Sequence, residues 1–312
     1  MVSLQKLLVV TPANSIQPSV ISQSSKLAKK HQSRVTFFSV AEEIPKEQLA
    51  LITLLPPQEI MENLVKKQHV ILQKAIEQFN HHFDSVDAKN VIGVPFIEVT
   101  KKVLQENYDL VILAAKASEH PRKRFFGSTT VHLMRKCPCP VLTIGTKEDK
   151  PIKRIVAAID VYAPSEEGLA LNNKILTWAA NLAASEKAEL HVIHAWELPS
   201  EAYLKSWGHN SEVDRLEMII KEQMDRQKLF DKILKNSFLG ENFPITKLIE
   251  GIAQEEIPRY IEEQDIDLIV MGTVCRTGIA GLFIGNTAES ILGEVSCSVL
   301  TLKPDGFETP VK

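Results

Sequence analysis

Short apolar runs alternate with longer amphipathic stretches along the whole chain, and the alternation occurs twice. The runs "KLLVVTP" (6–12), "RVTFFSV" (34–40), "YDLVILAA" (108–115) and "CPVLTIG" (139–145) are apolar and rich in β-branched residues, as strands buried on both faces require. Each has a counterpart further on. "RIVAAID" (154–160) follows at an offset of 148, "ELHVIHA" (189–195) at 155, and "IDLIVMGT" (266–273) and "CSVLTLK" (297–303) both at 158. The offset grows only where connections or helices absorb residues, so the chain is a duplication. Between the runs lie helical stretches. Ile60, Leu64, Ile71, Ala75 and Phe79 stand at helical spacing within 57–79, and Val213, Leu216, Ile220, Met224 and Leu234 do likewise in the second half. Each half therefore reads strand, helix, strand, long helix, strand, helix, strand, helix, strand.

Such alternation implies a parallel, doubly wound sheet with helices on both faces. The predicted fold class is α/β, with five-stranded parallel-sheet domains at residues 1–148 and 151–308. They join near the charged, proline-bearing "TKEDKPIK" (146–153). The full length of 312 residues lets each half bury its own core. A net charge of −3 gives no reason to expect nucleic acid as the main partner. The charge is nevertheless divided: 20 basic against 14 acidic residues in 1–150 (+6), and 16 against 25 in 151–312 (−9). Halves of opposite sign attract, although salt weakens the pull between exposed charges. The start "MVSLQKLLVVTP" lacks a secretory pattern, and no apolar stretch is long enough to span a bilayer. The four cysteines do not form a disulfide framework. A cytoplasmic protein with reduced thiols is the expectation.

Ligands of doubly wound sheets bind outside the carboxyl ends of strands, where strand order reverses. "GTVCRTGIAGLFIGNTAE" (272–289) begins directly after an apolar run and holds Gly272, Gly278, Gly281 and Gly285. Glycine permits close backbone approach and positive φ, both useful around a phosphate. The following "NTAESILGEV" reads as a helix capped by Asn286 or Thr287. Its first N–H groups would suit an anion. On chemistry alone, a phosphate loop and a plain glycine-bearing connection stand equal.

Gly272, position 275, Gly285 and Asn286 stand at the spacing G-x2-G-x9-G-[S/N]. In this the second half resembles a universal stress protein domain. The duplication, "MGTVCRTG", "IGNTAE", "RKCPCPV" and "KPDGFETPV" make nearly the whole chain similar to the tandem, E-type members of that family. The resemblance implies two flavodoxin-like (adenine nucleotide alpha hydrolase-like) domains. Their last strands, 141–146 and 299–304, would meet across an internal pseudo-twofold axis as an intramolecular pseudo-dimer, leaving a further homodimer open. It also implies ATP, with or without Mg2+, or another adenine nucleotide in the second half. There Asp160, with Ala158 beside it, contacts the nucleoside, and Ala195 offers backbone groups to adenine. Met271, Gly272 and Thr273 lie near ribose and phosphates, while Gly285, Asn286 and Thr287 close around the phosphates. Cys275 departs from the pattern by placing a side chain where the signature has glycine, which weakens binding. The first half departs further: Ala114, Ala117 and Pro12 stand at the matching positions, and only Gly127 and Ser128 survive. Its basic segment 116–126 reads as a solvated loop.

Other constellations add little chemistry. Neither a G-x-S-x-G elbow nor a G-x4-G-K-[ST] loop is present, so no catalytic residue is assigned. Asp160 could hold a magnesium-bound water for slow ATP hydrolysis, or do no more than bind. Cys137 and Cys139 lack the further Cys/His pair a metal site needs, and read as buried structural cysteines, Cys139 matching Cys297. His191 and His194 point to opposite faces of a strand and cannot share an ion. His81 and His82 end a helix, where solvent or the helix dipole suits them. The apolar stretches "LALITLLPP" (49–57) and "WELPSEAYLKSW" (196–207) need cover. Either the other half supplies it, or an apolar ligand such as a lipid or acyl chain does. The leading reading is thus a regulatory nucleotide-binding protein, with an apolar-ligand sensor and a slow ATPase as alternatives.

Overall fold

The computed structural model describes residues 2–12, 16–42, 57–80, 86–115, 126–145, 150–163, 165–197, 212–238, 243–273 and 285–312. The first half runs β1 (Lys6–Thr11), α1 (Pro18–His31), β2 (Arg34–Ala41), α2 (Pro57–Asn80), β3 (Val86–Ile92), α3 (Pro95–Glu106), β4 (Leu110–Ala114), α4 (Ser128–Lys136), β5 (Val141–Ile144). The second runs β6 (Arg154–Ala158), α5 (Glu166–Glu186), β7 (Glu189–Trp196), α6 (Glu212–Ser237), β8 (Ile245–Glu250), α7 (Ala253–Glu263), β9 (Leu268–Gly272), α8 (Asn286–Glu294), β10 (Ser298–Leu302). This is the predicted alternation, element for element.

All ten strands form one sheet in the order β3-β2-β1-β4-β5-β10-β9-β6-β7-β8. Pairing is parallel within each half, and β5 meets β10 antiparallel with Leu142 opposite Leu300. The last strands of the two halves thus meet as the resemblance implied. Strand order reverses between β1 and β4 in one half and between β6 and β9 in the other.

Alternating strand residues feed two continuous apolar layers. Leu7, Val9, Ile155 and Ala157 face α1, α2, α5 and α6. Leu8, Val111, Val156 and Ile269 face α3, α4, α7 and α8. Both layers run through both halves, so neither half has a core of its own. Opposite charge also meets at the junction, where Arg135 of α4 pairs with Glu289 of α8.

Repeated local devices accompany the repeated strands. The Asp109 carboxylate accepts from the backbone N–H groups of Gln5 and Lys6 (2.7 and 2.8 Å). Its counterpart Asp267 accepts from Lys153 and Arg154 (2.7 and 3.0 Å). Each aspartate fixes the start of a central strand against its neighbour. Gly251, between β8 and α7, has φ +136°, and a Cβ there would lie 2.6 Å from Glu256 Cγ. Only glycine turns this corner without strain.

One expectation fails in detail. Leu234 of α6 is buried, but Leu216, Ile220 and Met224 are more than half exposed. A 26-residue helix is about 39 Å long, whereas strands of six to eight residues reach roughly 20–27 Å. The first half of α6 overhangs the sheet, and burial is left to Phe230 and Leu234. The apolar stretch 49–56 and residues 198–207 lie outside the described residues. Among the described residues, no helix is long and apolar enough to cross a membrane.

Candidate functional site

The carboxyl ends of β6, β7 and β9 lie side by side at the strand-order reversal. Ala158 pairs with Met271 on one side and Ile193 on the other, and Ala195 lies two residues beyond Ile193. The chain after β6 is held by Asn172 of α5. Its Nδ2 donates to the Asp160 carbonyl (2.6 Å), and its Oδ1 accepts from the Asp160 N–H (3.1 Å). The Asp160 carboxylate accepts in turn from the Tyr162 N–H (3.1 Å), closing a tight turn. Asp160 is half-buried at the rim of the crevice. Asn172 was not legible as a site residue, because a polar residue inside a helix carries no signal of the loop it clamps.

At the other wall, the Gly285 N–H donates to the Thr273 carbonyl (3.1 Å), tying the start of α8 to the end of β9. Gly285, not Asn286 or Thr287, is the N-cap, and no side chain caps the helix. The expected cap is corrected for a plain reason: the strand-end tether fixes the chain one residue earlier. Among the described residues the first turn of α8 is without a capping side chain, beside the carboxyl end of β9, and Thr287 on that turn is exposed. Helix dipole and unpaired N–H groups together make such a terminus attractive to an anion.

Gly272 is explained in part by packing. A Cβ there would lie 2.8 Å from Leu171 Cδ2 of α5. Met271 is buried, so it offers the crevice only its backbone. The Thr273 hydroxyl turns away from the crevice and donates to the Met134 carbonyl of the first half (3.0 Å). Cys275 and the side chain of Asn286 lie outside the described residues.

Beside Ala195 stands a group that the sequence pattern did not single out. The Arg226 guanidinium of α6 lies 4.3 Å from the Tyr162 ring centroid and 5.1 Å from that of Trp196. Arg226 also pairs with Glu222 (3.2 Å) and reaches His194 Nε2 (3.3 Å). His194 Nδ1 lies 3.0 Å from the Ile159 carbonyl. A carbonyl only accepts and a guanidinium only donates, so His194 carries its proton on Nδ1 and accepts at Nε2. His191 faces the other side of the sheet, contacting Tyr260 (2.7 Å) and Glu189 (2.8 Å), as the strand period requires.

The first half differs at the same place. Gly127 again begins a helix without a side-chain cap, but Gln17 Nε2 donates to the Ala115 carbonyl (3.3 Å). That side chain, from just before α1, holds the chain just after β4. Pro12 follows β1, Ala114 ends β4, and Ala117 lies outside the described residues.

Comparison with known proteins agrees with this architecture. The model of the universal stress protein family matches residues 3–145 and again 151–303. Universal stress protein E of Escherichia coli (strain K12) is 27% identical over 100% of this chain and 98% of its own length. The universal stress protein E homolog of Haemophilus influenzae is 25% identical over 96% of each. A solved structure from Pseudomonas aeruginosa UCBPP-PA14 superposes with TM-score 0.72 at 23% identity, covering 97% of this chain and 95% of that one. A universal stress protein from Archaeoglobus fulgidus superposes with TM-score 0.63 at 16% identity, covering 96% and 98%. The chain belongs to the universal stress protein family, with two such domains in tandem, and is similar to the E-type members along its full length.

Proposed function

We propose that this chain is a regulatory protein of the stress response that binds ATP or another adenine nucleotide in its second half, in the cytoplasm. The observation that carries the reading is the N-terminus of α8, whose N-cap Gly285 has no side chain and is tethered to the end of β9, next to β6 in the sheet. In this reading the phosphates lie on the first turn of α8 and the backbone of Met271, Gly272 and Thr273. Magnesium, where present, accompanies the phosphates, and Asp160 and Ala158 meet the nucleoside while Ala195 meets the base. Asp160 binds and does not catalyse: its carboxylate is already engaged by the Tyr162 N–H, and no base–nucleophile pair stands beside it among the described residues. The first half holds no nucleotide, because Pro12 stands where the second half has Asp160, and Ala114 and Ala117 stand where the signature has glycine.

Calorimetry of the full chain with Mg-ATP tests this, with Thr287→Asp as the variant. A carboxylate on the first turn of a helix favours the helix dipole, by about 0.3–1 kcal/mol, yet repels phosphate. Mg-ATP affinity should fall at least roughly tenfold, or about 1.4 kcal/mol, with thermal stability unchanged or raised. Equal affinity in the two proteins would remove α8 from the site.

A further inference from the structure

A buried lysine and two cysteines meet where the halves join. Lys303, the residue after β10, is 3% exposed. Its ammonium donates to the Met134 carbonyl in the last turn of α4 and to the Thr273 hydroxyl, and lies 5.4 Å from the Phe307 ring centroid. Cys137 follows the same helix end and is fully buried. Its sulfur lies 3.7 Å from that of Cys139, which is partly exposed. Two sulfurs at that separation are in contact, and rotation about the Cα–Cβ bonds is the motion that would join them.

The duplication shows that this grouping is not a generic feature of the fold. At the offset of 158, Cys139 corresponds to Cys297, but Cys137 corresponds to Val295 and Lys303 to Gly145. The pseudo-twofold mate of the dithiol and its cation is thus a single thiol beside valine and glycine. Burying a lysine is costly unless something answers its charge. Burial drives Lys303 down to about 7, and Cys137 and Cys139 oppose that. The same contacts act on sulfur. The hydrogen-bonding contact with Cys139, against burial and with a lesser pull from the Lys303 charge, draws the Cys137 thiol below its ordinary value, while burial and then Cys137 push Cys139 up.

We propose that Cys137 and Cys139 form a redox-active dithiol at the junction of the two halves, which a peroxide oxidises to an intramolecular disulfide. The Cys137 thiolate attacks a peroxide oxygen: an S–O bond forms, the O–O bond breaks, and the departing hydroxide leaves as water with a proton from solvent, equal to the one the Cys137 thiol gave up. Cys139 sulfur then attacks Cys137 sulfur. The S–O bond breaks, and the hydroxide released leaves as water with the Cys139 proton. With hydrogen peroxide, two thiols and one peroxide give one disulfide and two waters, two electrons passing from sulfur to oxygen. Cys137 is the attacking sulfur and Cys139 the resolving one, and the Lys303 charge favours the Cys137 thiolate.

Trypsin releases both cysteines on one peptide, residues 137–147, which makes the test direct. The full-length protein is treated with hydrogen peroxide near neutral pH, alkylated, and digested. The peptide should appear unalkylated and lighter by about 2 Da, and dithiothreitol should restore two alkylation sites. Cys297, with Val295 and Gly145 at the matching positions, should remain alkylatable at the same dose. Lys303→Met should slow disulfide formation roughly tenfold or more, and Lys303→Arg, which keeps the cation, should retain most of the rate. A peptide that stays doubly alkylated would overturn the proposal. So would sulfinic or sulfonic acid on one cysteine without disulfide, or a disulfide that forms only in denatured chain. The wild-type result decides these outcomes even if a Lys303 variant does not fold.

Discussion

At position 275 a cysteine stands where the family signature has glycine, and the consequence for phosphate binding is steric. In the proposed nucleotide reading, a glycine there, with no Cβ or sulfur, would permit close backbone approach to phosphate and positive φ. A recovered charge-assisted hydrogen bond is worth roughly 1.5–3 kcal/mol, against up to about 1 kcal/mol lost to the greater freedom of glycine. Cys275→Gly should therefore tighten Mg-ATP binding, as read by calorimetry under reducing conditions; unchanged or weaker binding sinks the obstruction idea. Lys303 gives a second prediction. Burial holds it near 7 in the folded chain, against an ordinary value of 10.5. Between those values the unfolded chain binds more protons, so stability rises with pH from about 7 upward. The rise should reach at most about 3 kcal/mol by about pH 9.5. The depressed Cys137 thiol adds in the same direction, and the raised Cys139 thiol works against it above its ordinary value of 9.0. Above about pH 10 the Tyr108 phenol, pushed up to about 12 by burial, works the other way. Chemical denaturation across this window should show the rise in wild type and largely lose it in Lys303→Met; a flat wild-type profile would count against a buried titrating lysine.

Among the elements, α6 separates periodicity from burial. Leu216, Ile220 and Met224 fit the helical period as well as Leu234 does, yet only the last reaches the core. The difference is length, since a helix longer than its strands has residues with nothing beneath them. Ile220→Ser should accordingly change stability by less than about 0.5 kcal/mol. Phe230→Ala, at a fully buried position of the same helix, should cost about 3–5 kcal/mol. Equal losses in urea titrations of the two variants would mean that the first half of α6 is covered in solution. The start of α8 teaches a related lesson. Its polar residues Asn286 and Thr287 promised a side-chain cap, but the tether from Gly285 to Thr273 places the helix start one residue earlier.

For the whole molecule, the ten-stranded sheet joins what the duplication divides. β5 and β10 share a ladder, both apolar layers continue across it, and Thr273 and Lys303 of one half bind the helix end of the other. A half-molecule would expose β5 or β10 as an unpaired edge, a site for association with another chain. The intact chain should therefore unfold in one cooperative calorimetric transition, with van't Hoff and calorimetric enthalpies in agreement. Two resolved transitions would show that each half stands alone.

The sequence by itself determined the number, type and order of the elements. Strands buried on both faces must be short, apolar and β-branched, and "KLLVVTP" and "RIVAAID" say so without reference to anything distant. The signature spacing around Gly272 and Gly285 was legible in the same way, because close backbone approach leaves a mark in residue type. Tertiary structure decided what depends on partners far apart in the chain. Arg226 meets Tyr162 and Trp196 only because α6 packs beside the end of β7. Gln17 reaches the Ala115 carbonyl only because β1 and β4 are neighbours. Cys137 and Lys303, 166 positions apart in the chain, come together only because β5 and β10 pair antiparallel. A local pattern records what a residue must be for its own element; which charge or sulfur faces it is set by the packing of the whole.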